Sequence, residues 1–139
     1  MRDARILKHG GREYQLLPTF EVLDNFETRH GSLIQHLMNL VNGTATVHQR
    51  ATLIMEAARA GFVGEFNWKH EAVRKMLFEL GVASDDLVLL ETDICEALLY
   101  TPEQYIAKKA QRAEAQKAQD QMAAILGGFD PATAPLSPS

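Results

Sequence analysis

Five histidines, one cysteine and a short acidic run are the residues of this chain best suited to proton transfer, metal ligation or nucleophilic attack. A metal site needs imidazole, thiolate or carboxylate groups at ligand spacing. His9, His30, His36, His48 and His70 form no HExxH pattern and flank no cysteine pair. His30 falls where the last turn of a helix favours positive charge, and His9 flanks a turn. All five read as solvent-facing or capping groups. Glu91, Asp93 and Glu96 resemble an acid–base site in composition only. Positions 91 and 93 face apart on a helix, and 93 and 96 are ordinary surface neighbours, so a solvated face is expected. Cys95 adjoins Ile94 in the most apolar segment and reads as a small buried hydrophobe with no base to activate it. Ser32, Thr46 and Ser84 precede apolar runs and read as helix caps outside any GxSxG context. Gly61 and Gly64 make no phosphate-cradling loop, and Trp68 reads as a core anchor. No catalytic, cofactor-binding or metal site is expected, and the chain does not read as an enzyme.

The elements that position these residues are a hairpin and a series of capped helices. Gly10-Gly11 marks a tight turn between two short alternating segments. With those glycines as the loop, Lys8 faces Glu13 and Leu7 faces Tyr14, one pair charge-complementary and the other apolar. Pro18 closes the second strand. Thr19 caps a helix carrying Phe20, Leu23 and Phe26, with Glu21 in its first turn and Gly31 as its stop. Ser32 opens the next, whose wide apolar face holds Leu33, Ile34, Leu37, Met38 and Val41 before Gly43. Thr46 opens a third with Val47, Leu53, Ile54 and Ala57 before Gly61. Asn67 is the expected cap of a fourth, running through Trp68, Val73, Met76, Leu77 and Leu80 to Gly81. Ser84 opens a fifth with Leu87, Leu90, Ile94 and Leu98. The fold expected is mostly α: an N-terminal two-stranded β-hairpin, a compact bundle of about five helices over residues 1–102, and an extended C-terminal helix.

That last helix spans 103–126, after a start signal at Thr101-Pro102-Glu103. Lys108 to Gln121 has high helix propensity and no large apolar residue, so nothing in it anchors to a core. Apolar residues stand only at its ends. Tyr105 and Ile106, with Met122, Ile125 and Leu126, are the candidate partner-binding residues, placed as helix anchors for a groove. Residues 127–139, rich in Pro, Ala and Ser, read as a disordered tail.

The chain has 139 residues, of which 46% are hydrophobic and 23% charged, which fits one globular core. A formal net charge of -4 and the lack of a basic stripe argue against nucleic acid as a partner. One cysteine excludes an intrachain disulfide and suits a reducing compartment. No apolar run approaches the roughly 20 residues of a membrane span. A soluble cytoplasmic protein is expected, with a homo-oligomer compatible.

The opening GREYQLLPTF followed by EVLDNFETRHGSL resembles the tail assembly chaperone family of tailed bacteriophages, in the branch found in gene transfer agent tail clusters, some of whose members are labelled tail tube proteins. The glycine turn, Pro18-Thr19-Phe20, Phe26-Glu27 and Gly31-Ser32-Leu33 carry the resemblance, which spans about Gly10 to Tyr105. It implies a protein that binds the tape measure protein and helps recruit tail tube subunits in the bacterial host cytoplasm, and that is absent from the mature particle. Two other expectations stand beside it. One is a structural tail component, a tube or connector subunit, although a single hairpin is poor material for a β-barrel wall. The other is a small DNA-binding regulator, for which Asn67 to Lys75 offers only sparse basic residues.

Overall fold

The computed structural model describes residues 2–64 and 66–127; the expected tail lies, from residue 128 onward, outside the described residues. The chain divides into two units, one ending at Pro102 and the other starting at Glu103. The first contains β1 (Arg5–His9), β2 (Arg12–Leu16), α1 (Phe20–His30), α2 (Leu33–Asn42), α3 (Val47–Ala60), α4 (His70–Leu80) and α5 (Asp85–Leu99). The second is built on α6 (Pro102–Gly127). The architecture is therefore mostly helical, with one N-terminal antiparallel hairpin.

The hairpin register follows from its turn. Gly10 and Gly11 both have positive φ, 60° and 77°, as a two-residue turn matching the strand twist requires. Leu7 then pairs with Tyr14 and Lys8 with Glu13, with Lys8 Nζ 3.6 Å from the Glu13 carboxylate. Leu7 and Leu16 point into the core. Immediately after β2, the Leu17 N–H donates to the Ala57 carbonyl of α3 at 3.0 Å. A Cβ at Gly61 would run into the Gln15 carbonyl, so β2 approaches the end of α3 as closely as only glycine permits.

Helix α3 is the hub, packing against α1, α4, α5 and β2, while α2 packs on α5 and α1. The core joins Leu7 and Leu16 of the hairpin to Phe26, Leu33, Leu53, Ile54, Met76, Leu77 and Ile94. Ser32 and Thr46 cap as their positions suggest, accepting from Gln35 N (3.2 Å) and Gln49 N (3.1 Å). Thr19 and Ser84 occupy the cap positions of α1 and α5, but their side chains make no capping bond. The fourth core helix starts later than its sequence suggests: Lys69, not Asn67, is the residue before α4. The reason is tertiary. Trp68 lies flat on Tyr14, ring centroids 4.3 Å apart and planes 5° from parallel, and Lys69 remains extended, so helix begins only past that contact.

Helix α6 opens with Pro102 at its first position, where the missing N–H costs nothing. Gln116 donates to Asp120 one turn on (2.9 Å), and the Lys109 ammonium lies 5.2 Å from the Tyr105 ring. No helix among the described residues is long and apolar enough to cross a membrane.

Candidate functional site

Of the residues whose types could do chemistry, His36, Glu91, Cys95 and Glu96 are buried. Glu91, expected on a solvated face, is fully buried and accepts three N–H bonds from the Arg50 guanidinium, at 2.7–3.1 Å. Arg50 also donates to the Val82 carbonyl (2.8 Å), so one side chain joins α3, α5 and the loop between α4 and α5. Burial pushes the Glu91 carboxyl up, and Arg50 opposes that push. Asp93 accepts from Arg5 at 2.7 Å, and Glu96 is buried. The solvated acidic face is thus corrected to one core ion pair, one strand-to-helix pair and a buried acid. The signal was positional: Leu87, Glu91, Ile94 and Leu98 recur at helical spacing, so Glu91 sits within the apolar stripe. Cys95 is buried as expected, and burial followed by the nearby Glu91 pushes its thiol far up, out of nucleophilic range.

Among the histidines only His36 needs correction: His48 is exposed, His30 and His70 are half-buried, and His9, also half-buried, lies 2.9 Å from Glu79. His36 is 2% exposed, packed on Phe26 with ring centroids 4.8 Å apart. Burial holds its imidazole down at about 4, with His30 and Arg50 adding to the effect and Gln49 opposing it. His30 and His70 converge on the Thr52 hydroxyl at 2.8 and 3.0 Å. His48 lies against His70 with centroids 4.3 Å apart and planes tilted by 46°. The cluster arises because α1 ends, and α3 and α4 begin, at one corner of the bundle. Among the described residues no three His, Cys, Asp or Glu side chains are placed to hold a metal ion.

Exposed apolar surface is the other feature available for function. Helix α2 has two apolar sides. Leu33, His36 and Leu40 are buried with Leu37 against them, whereas Ile34, Met38 and Val41 are 59%, 52% and 69% exposed. The single wide core face expected for α2 is corrected on this point. A helix at the edge of the bundle buries only one side, and its outer apolar residues recur at i, i+4 and i+7, one continuous stripe. A cleft of about 730 Å³ lies elsewhere, between β2 and the 61–68 segment, walled by Tyr14, Phe62, Phe66 and Trp68.

The five candidate partner-binding residues all lie on α6. Ile106, Met122, Ile125 and Leu126 are exposed, and Tyr105 is half-buried. Met122, Ile125 and Leu126 share one face at i, i+3 and i+4. Ile106 lies on another face, roughly 24 Å or more along the axis. The helix thus brings three of the five together and does not join them to Tyr105 and Ile106. No family model, curated protein or solved structure matches this chain.

Proposed function

We propose that the chain is a tail assembly chaperone of the phage and gene transfer agent kind, which masks an apolar helix of the tape measure protein and helps tube subunits gather around it. The observation that carries this reading is the outer stripe of α2, Ile34, Met38 and Val41. An exposed apolar row at helical spacing on a folded bundle is suited to pack a partner's amphipathic helix. The Met122, Ile125 and Leu126 face of α6 supplies a second such row. The exposed rows favour binding as the activity, and the resemblance of the hairpin-to-α1 segment supplies the partner.

Co-expression with a tape measure protein from the same tail gene cluster tests the reading. The expected result is that the tape measure product stays soluble and co-purifies with this chain, and that I34E/M38E abolishes co-purification while the melting midpoint is kept. A tape measure product that stays insoluble and unbound overturns it. Stoichiometric recovery of this chain from purified mature tails favours the structural-component reading instead.

A further inference from the structure

The corner where α1 ends and α3 and α4 begin holds a hydrogen-bond network centred on the Thr52 hydroxyl. Thr52 Oγ1 donates its only proton to the His48 carbonyl (3.1 Å). Two ring nitrogens lie within hydrogen-bond distance of the same hydroxyl, His30 Nε2 (2.8 Å) and His70 Nε2 (3.0 Å). His70 Nε2 also lies 3.2 Å from the His48 carbonyl, as a donor. The other nitrogen of His70, Nδ1, accepts from Arg74 Nε–H at 3.0 Å. A neutral imidazole carrying its proton on Nε2 satisfies every one of these contacts. A protonated His70 does not, because its Nδ1–H would point at the Arg74 N–H, donor against donor and cation against cation.

We propose that this His30–Thr52–His70–Arg74 network, with the His48 ring packed against it, is an acid-labile latch that holds the end of α1 and the start of α4 to α3. The charged groups facing it come from each neighbouring element. Helix α1 contributes Arg29, 3.9 Å from Glu56, and Glu27, whose carboxylate accepts from Leu33 N. Helix α2 contributes only His36. Helix α3 contributes Arg50, committed to Glu91, and α4 contributes Arg74 with Glu71, the latter 3.4 Å from Lys75. No carboxylate joins the network's own bonds among the described residues. Burial, then His48 and Arg29, hold His30 below the ordinary imidazole range. Burial, His48, Arg74 and Arg29 do the same for His70 against its bond to the His48 carbonyl. Protons therefore bind the open corner better than the closed one, so the latch is shut above about pH 6.5 and opens as pH falls below it. The proposal is independent of the partner assigned above.

Amide hydrogen exchange on the full chain at about pH 7.5 and pH 5.5, corrected for the intrinsic pH dependence of exchange, tests it. Protection in the last turn of α1 and the first turn of α4 is expected to fall by about tenfold or more in the wild type while α5 keeps its protection. In H30Q/H48Q/H70Q, which cannot take up these protons, the fall is expected to be absent. Equal loss in α5, or the same loss in the variant, overturns the proposal. Because the triple variant replaces two half-buried rings, exposed Arg74 provides a second arm. R74M removes the opposing cation and is expected to move wild-type opening to lower pH; an unchanged or higher midpoint overturns the latch. Imidazole titration by NMR closes the test, since His30 or His70 titrating above its unfolded value refutes it.

Discussion

Arg50 and Glu91 show how a charged pair is made tolerable inside a core this small. All three observed bonds to Glu91 come from one planar guanidinium, and the Val82 carbonyl uses a further donor. Removing one partner leaves the other charge buried and alone, so Glu91→Ala is expected to lower unfolding free energy by about 3–5 kcal/mol in urea titrations. R50M/E91L, which removes both charges, is expected to recover most of that loss. His36 makes a pH-dependent contribution of known sign. Its imidazole is depressed to about 4 in the folded state, so its contribution to stability is complete above about pH 6.5 and is lost as pH falls toward 4. Replacing it with Leu is expected to remove roughly 3 kcal/mol of the difference in unfolding free energy between neutral and acid pH. Neither residue was legible as core from its type. Both were legible from position, because 91 shares the face of Leu87 and Ile94, and 36 shares that of Leu33 and Leu40.

At the scale of elements, local chemistry reaches as far as local geometry decides. The hairpin register was readable because two adjacent glycines leave one pairing in which both Leu7–Tyr14 and Lys8–Glu13 match. The starts of α2 and α3 were readable because Ser32 and Thr46 bond the amide three residues on. The start of α4 was not, since the flat contact of Trp68 on Tyr14 joins residues 54 positions apart in sequence and overrides the capping tendency of Asn67. Gly61 is a similar long-range demand. Gly61→Ala would push β2 off α3 and is expected to cost about 1–3 kcal/mol, read as a lower melting midpoint, despite alanine's better helix propensity. The outer row of α2 behaves oppositely. Met38→Lys alters an exposed position and is expected to change stability by about 0.5 kcal/mol or less, so any loss of partner binding reports on the interface and not on folding. That row was hidden in the sequence because an apolar face wide enough for two partners looks like a face wide enough for one.

For the whole molecule, the longest-range ties run from the first residues to the last core helix. Arg2 donates to the carbonyls of Ala97 and Tyr100, and Arg5 to Asp93, 88 positions away. Asp93→Ala is expected to cost about 1–2 kcal/mol, measured by denaturant titration, because Arg5 is mostly enclosed and would lose its charged partner. The ties also set an order of events. The hairpin can close as soon as residue 16 exists, but the helix that clasps its front strand is the last part of the first unit to leave the ribosome. A nascent chain that has α3 but not α5 therefore holds its hairpin through β2 alone, and stalling before residue 93 is expected to leave the Arg5 tie unmade and β1 open to holding chaperones.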